Sequence, residues 1–390
     1  MVRAVPILGG GRSAVGPHLV PSVFWLALCL HATQALADAG AGAMDLSWPR
    51  PYVQARSSAW SNGLPVLDID GPWTRGYQAR SGTQRAYQDL AAEAGLALMV
   101  PGLPQAGVWR VGVLARSQAL VELSGQAAEV VQAYQSRQDP AQPRVFDAHT
   151  RALSWRGRGV ALHSPQMQWQ GWTASASAQW MSLRYLRYAQ SAGQVVYQGE
   201  GSYDYLLAVE DDSPSASTPF LPRGAKRGQA QSLSVTLGRE VWPGLDLSFK
   251  VDDLWSRLRW PRLNALQATV NTQVATKTAE GYINYEPAVR GQFTPAVVDI
   301  RIPRAYQAMA TWQRPEGQWS VRVHRQWGLQ QTWLGWHTAG ADGFGVAVEP
   351  RFGAVQLGAQ WRGLAAHAMF DRQDSSAHVR QWDLSYQWPW

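Results

Sequence analysis

Six histidines lie in the body of this 390-residue chain: His149, His163, His324, His337, His367 and His378. No two stand at the helical spacing that would place both imidazoles on one metal ion, so no metal site is expected. A Gly-x-Ser-x-Gly nucleophile elbow is absent. Gly9-Gly10-Gly11 near Gly16 lacks the Lys-Ser/Thr that completes a phosphate loop, and Asp211-Asp212 lacks the later ligands of a calcium loop. The motifs give enzymatic chemistry little support, leaving a hydrolase assembled from separated His, Ser and Asp as the weakest reading. No cofactor is expected. The charged residues that draw attention are Asp246, Lys250, Arg257 and Arg259, together with Arg322, His324 and His367. Each stands in an alternating segment, and all are expected to face a polar interior. Arginines there would form either a constriction favouring anionic solutes or an ion-paired lining that only stabilises the fold.

The elements that must position them have a period of two. Trp172, Ala174, Ala176, Ala178 and Trp180 alternate with Thr173, Ser175, Ser177 and Gln179. Leu245, Leu247, Phe249 and Val251 alternate with Asp246, Ser248, Lys250 and Asp252. Successive strand side chains point to opposite faces, so each segment carries one apolar and one polar face. A buried parallel sheet would be apolar on both faces, and an amphipathic helix would repeat every 3.6 residues. Trp242-Pro243-Gly244, Arg314 to Gly317 and Trp361-Arg362-Gly363 read as tight turns, whereas 211–230 and about 274–296 read as long loops. Residues 211–230 are expected outside the cell.

The last strand has the same form. Trp382, Leu384, Tyr386, Trp388 and Trp390 fill every second position up to the final residue. This resembles the C-terminal assembly signal of Gram-negative outer-membrane β-barrel proteins as a general class, with Trp in place of the commoner Phe and with Pro389 as a departure. The resemblance implies a strand read by the barrel-assembly machinery and paired with the first strand to close the cylinder. It names no specific family.

Composition agrees. Charged residues make up only 16% of the chain and hydrophobic ones 46%, yet mean hydropathy is −0.26 and no long apolar run offers a spanning helix. The 21 Trp and 13 Tyr against 8 Phe suit boundaries where one end of a side chain is apolar and the other wet. Net charge is +7, dispersed rather than blocked, which argues against a nucleic-acid partner and for contact with anionic lipopolysaccharide. Residues 1–37 read as an export signal, with Arg3 and Arg12 ahead of a short apolar core and Ala35 and Ala37 preceding cleavage before Asp38. Its removal would take away Cys29, the only cysteine.

The sequence therefore predicts an all-β protein, a closed antiparallel transmembrane barrel of about 12–16 strands with 14 as the central expectation. The barrel is placed at 141–390. Residues 38–140 form a mixed N-terminal segment (plug, periplasmic lobe or first hairpins), with helices expected at 83–94 and 125–138 and a strand at 109–116. The expected location is the outer membrane of a Gram-negative bacterium. The expected function is a porin-like channel or transporter for small solutes. The alternative is a structural or assembly component that binds another envelope protein.

Overall fold

The computed structural model describes residues 49–390 apart from 65, 67–76, 100–106, 214–223, 274, 278–282, 286, 341, 373–376 and 388–390. The proposed cleavage residues Ala35, Ala37 and Asp38, and the terminal Trp388 and Trp390, lie outside the described residues.

The period-two segments are strands. The N-terminal part of the wall comprises β1 (Arg50–Ser61), β2 (Gln84–Met99), β3 (Val108–Leu123), β4 (Arg144–His163), the short β5 (Met167–Trp169) and β6 (Trp172–Gly199). It continues through β7 (Ser202–Ser213), β8 (Gly228–Trp242) and β9 (Leu245–Asn271). A separate small hairpin pairs β10 (Ala275–Lys277) with β11 (Ile283–Tyr285). The remainder is β12 (Val289–Ile300), β13 (Ala305–Arg314), β14 (Gly317–Gln326), β15 (Leu329–His337), β16 (Gly343–Glu349), β17 (Ala354–Trp361), β18 (Leu364–Phe370) and β19 (Val379–Gln387). One helix, α1 (Gly125–Ser136), follows β3.

All ladders are antiparallel, and the sheet closes where β1 pairs on one side with β2 and on the other with β19, from Tyr52↔Gln387 to Trp60↔Val379. Two positions in the wall are shared. β7 and β8 both lie between the long β6 and β9, one above the other, and β12 and β13 share the next position. The circuit therefore has 14 strands. Closure at β1–β19 removes the sheet's edges around the circuit, and β12, paired with β9 alone, keeps one free edge above β13.

The barrel has two unlike ends. At the turn end, β8–β9, β13–β14 and β17–β18 are joined by tight turns, and Arg50 and Gln387 lie nearby. At the loop end lie α1 and the β1–β2 and β18–β19 connections, beside tight turns at β6–β7 and β14–β15. The wall is also uneven in height: β4, β6 and β9 run for 20, 28 and 27 residues, whereas β14 to β19 run for 7–10.

Two sequence expectations are corrected here. Residues 83–94 are not helical, because Gln84–Met99 pairs along its length with β1 and β3. Alanine-rich helix propensity is worth only tenths of a kcal/mol per residue, and two complete ladders override it. Of the alternatives for 38–140, residues 50–123 supply the first strands of the wall, β1 to β3, so the wall begins at Arg50 and not at 141. The helix expected at 125–138 spans Gly125–Ser136. Its N-cap is Ser124, whose Oγ accepts from Ala127 N–H at 3.1 Å, and Arg137 ends it in a left-handed conformation. α1 docks on the outside of the wall. There Ala127 and Ala128 bury against Leu123, Phe146, Val195, Tyr197 and Leu207, and Leu64 and Tyr77 join the same cluster.

Candidate functional site

The outer face carries an apolar band. On β6 the outward residues are Trp172, Ala174, Ala176, Ala178 and Trp180, and on β9 they are Leu245, Leu247, Phe249, Val251 and Trp255. Trp242, Trp312, Trp319 and Trp361 are exposed around the turn end. Three of the tryptophans there carry an arginine over the ring: Arg239 on Trp172 at 5.3 Å, Arg314 on Trp312 at 3.9 Å and Arg362 on Trp361 at 5.2 Å. Trp382, Leu384 and Tyr386 of β19 alternate with the inward Asp383 and Ser385 and extend this outer face.

The inner face is layered. Nearest the turn end, Glu93 accepts a hydrogen bond from the Tyr52 hydroxyl, another from Gln54 Nε2 at 3.0 Å, and contacts His163 Nε2 at 2.7 Å. At mid-height Arg116 of β3 crosses the interior to Asp253 of β9, donating Nη1 to Oδ1 at 2.9 Å and Nη2 to Oδ2 at 2.7 Å. The two side chains are 3% and 0% exposed, so no water competes for the pair. Arg116 also lies 3.6 Å from Asp89, which is held by Arg56 at 3.4 Å and by the Tyr87 hydroxyl at 2.9 Å. Ser232 donates to Asp253 Oδ1 at 2.6 Å. Paired and hydrogen-bonded on this scale, buried charges are tolerated; removing one partner strands the others.

A bulge builds this layer. Val235 faces Val251 and Leu233 faces Trp255, so three residues of β9 oppose the single Ser234. Asp253 takes a positive φ of 55° and its N–H donates to Ser234 Oγ at 3.1 Å. A regular strand would have sent Asp253 outward; the bulge re-aims it into the interior.

Above this, on the inner face of the tall wall, Leu153, Trp155, Leu183, Leu258 and Trp260 form an apolar layer. Trp155 and Trp260 are wholly buried. Higher still, a chamber of about 1020 Å³ is lined by Glu122, His149, Arg151, Gln190, Glu210 and Arg290, among others.

The short wall is built differently. His337, Gly345, Gly358, His367 and Asp383 stand side by side on five consecutive strands, β15 to β19. A Cβ at Gly345 would lie 2.5 Å from His337 Cδ2, and one at Gly358 would lie 2.5 Å from His367 Cδ2. Both imidazoles therefore lie down over bare backbone instead of standing out into the lumen.

Of the residues singled out by sequence, Asp246 is on the inner face near the turn end, where Gln313 donates to it at 3.2 Å. Lys250 pairs with Asp252 at 3.0 Å. Arg322 donates to Gln356 at 2.8 Å, His324 packs its ring 5.0 Å from that of Trp60, and His367 lies in the short-wall row. Arg257 and Arg259 are on the opposite face from the one expected. Arg257 is exposed and paired with Asp299, and Arg259 is exposed beside it, while Leu258 and Trp260 point inward. The reason is that β9 leaves the apolar band at Trp255, above which the outside is polar and the inside apolar. The sequence singled out none of Arg116, Asp253, Asp89, Glu93 and His163 for this site. The one signal was Asp252-Asp253, two adjacent charges that break strict alternation.

No family model matches the chain, and no curated relative does. Among solved structures it is similar to a mutant of the TodX monoaromatic hydrocarbon channel (10% identity, 88% of this chain and 90% of that one, TM-score 0.37). It is also similar to the beta domain of the Bordetella autotransporter BrkA (12% identity, 88% and 99%, TM-score 0.28) and to the Escherichia coli outer membrane protease OmpT (8% identity, 87% and 94%, TM-score 0.22). Each likeness is too distant to carry an activity to this chain.

Proposed function

We propose that this barrel resides in a bacterial outer membrane and passes a small solute through a passage closed at mid-height by the Arg116 layer. The membrane placement is supported by the outward apolar band with tryptophans at its turn end, a closed sheet, and the resemblance of the last strand to an assembly signal. The observation that carries the passage is the contrast across the lumen at the level of the charges. One wall projects an interlocked ion-pair layer, and the facing wall lays its histidine rings flat over Gly345 and Gly358. Solute entering the roomy loop-end chamber would descend along the histidine wall once Arg116 lets go of Asp253.

Planar-bilayer recording tests this. The wild type is expected to conduct weakly, and Arg116→Ala with Asp253→Ala, which unlocks the layer without leaving a lone charge, to open discrete and larger conductance steps. Silence in both proteins, each verified as inserted, would argue against a passage. A second reading has its own observation: α1 and residues 77–79 are pinned to the outer wall at the loop end, where Gln132 bonds both Tyr77 and Ala79. That raised shoulder suits a component that binds another envelope protein, and stoichiometric co-purification of such a partner, lost on deleting α1, would favour it.

A further inference from the structure

The outer face of the tall wall changes character at one level. Directly above Trp180 and Trp255, the outward positions become Ser182 and Arg184 on β6 and Arg257 and Arg259 on β9, all exposed. The register aligns them. Arg158 faces Ser182, Ser182 faces Gln229, Gln229 faces Arg259, and Arg259 faces Asp299, a straight row across β4, β6, β8, β9 and β12. Neighbouring strands are ~4.8 Å apart, so Arg158 and Arg259 stand about 14 Å from each other, with Arg184 and Arg257 on the strands between and beside them. Arg301 and Arg304 flank the cleft beside Trp255. Asp299 is the one carboxylate in the row, and it is engaged by Arg257 at 2.5 Å.

A second observation shows where lipid must end. Higher on the same outer face, apolar residues recur at Phe146, Val195, Tyr197 and Leu207, but there they are covered by α1 and its neighbours. Below the arginine row the apolar face is bare; above it, on β4, β6 and β7, apolar surface is sealed by α1 and its neighbours, while Val289 and Val297 of β12 stay exposed. The row thus runs obliquely across the tilted strands and marks, along one side of the barrel, where the bare apolar face gives way to arginine.

We propose that this row binds the phosphorylated headgroup of the outer-leaflet glycolipid, lipopolysaccharide, with Arg158, Arg184, Arg257 and Arg259 taking its phosphates and the apolar face below taking its acyl chains. Clustered arginines immediately beyond a membrane-spanning element recognise anionic headgroups, and guanidinium forks suit phosphate oxygens. The inference rests on the membrane placement above and is independent of whether the lumen conducts.

The test uses full-length protein reconstituted in phosphatidylcholine nanodiscs containing lipopolysaccharide, its dephosphorylated form, or neither, with inorganic pyrophosphate as the free-phosphate arm. Wild type is expected to retain phosphorylated lipopolysaccharide at least tenfold better than the dephosphorylated form, and millimolar pyrophosphate is expected not to displace it. Arg158→Gln, Arg184→Gln, Arg257→Gln and Arg259→Gln together should abolish the preference. Arg259→Gln alone, a milder change should the fourfold variant not fold, should weaken it several-fold. Asp299→Asn should strengthen retention, which loss of a merely structural ion pair would not do, and Arg314→Gln with Arg362→Gln at the turn end should leave it unchanged. Equal retention of both glycolipids, or an unaltered preference in the folded fourfold variant, overturns the inference while leaving the membrane placement standing. Displacement by pyrophosphate reduces the row to a generic phosphate site and also overturns it. Failure to enter any bilayer overturns both.

Discussion

The tall wall, β2 to β9, and the short wall, β13 to β19, solve the same problem in opposite ways. Both must line an interior with polar groups that cannot be left unpaired. The tall wall reaches across the lumen: Arg116 spans to Asp253, and an apolar layer with Trp155 and Trp260 stacks above. The short wall pairs its polar groups locally, with Arg322 bonding Gln356 three strands away on its own side and two histidine rings lying over glycines, and meets the tall wall's core at Trp327 and Leu329. What the difference teaches is that filling and clearance are separately encoded. Long strands can afford an interior core because they extend beyond the apolar band, whereas strands of 7–10 residues span the band and little more.

The largest expected effect comes from breaking the reach of the tall wall. Arg116→Ala leaves Asp253 buried without its cation and Asp89 with Arg56 alone, and should destabilise the barrel by about 3–5 kcal/mol, read as a lower temperature of the heat-shift on a gel. Arg116→Met with Asp253→Leu should recover most of that loss, because the desolvation problem disappears with both charges.

Next is the clearance of the short wall. Gly358→Val forces the His367 ring off the backbone, at a cost of about 1–3 kcal/mol, and pushes it into the lumen. Conductance through the Arg116→Ala, Asp253→Ala background should fall. If the same valine leaves conductance unchanged, the passage does not follow this wall.

Smaller effects should erase the contrast, since the outer girdle is common to both walls. Trp172→Ala on the tall wall and Trp361→Ala on the short one each remove an arginine-stacked ring worth about 0.5–1 kcal/mol, and should lower stability equally. Unequal losses would show that the walls differ outside as well as inside.

The smallest effect lies at the loop end of the short wall, where Asp371 accepts from the backbone N–H groups of His378 and Val379 and pairs with the His378 ring. Burial pushes this carboxyl up, but the His378 side chain and the two backbone donors outweigh it and hold it below the ordinary carboxylate range. A carboxyl lowered by folding stabilises the folded state above its unfolded pKa of about 3.9, and loses that contribution as pH falls through the folded value. Proteolysis of the β18–β19 loop should therefore be slow near pH 5 and quicken only below about 4, and Asp371→Asn should remove the pH dependence.

Much of the fold was legible because period two is a direct print of a two-faced sheet. Trp172 to Trp180 and Leu245 to Val251 face outward as their alternation requires. The helix at 125–136 was legible in the sequence, read there two residues longer at its end. The strand Gln84–Met99 was not, because its alanines carry no facial preference and only the ladders of β1 and β3 settle it. Arg257 and Arg259 were misplaced because alternation gives the faces without saying which is wet, and that answer changes with height along β9. Arg116 and Asp253 are 137 residues apart, and no local pattern announces a contact made only when the cylinder closes around it.

The most direct test of the central claim is a single-cysteine scan of residues 245–251, labelled with a fluorophore in lipid bilayers and challenged with a lipid-dissolved quencher. The two-faced wall predicts strong quenching at Leu247, Phe249 and Val251 and weak quenching at Asp246, Ser248 and Lys250. Quenching with no period of two, or none at any position, would contradict it.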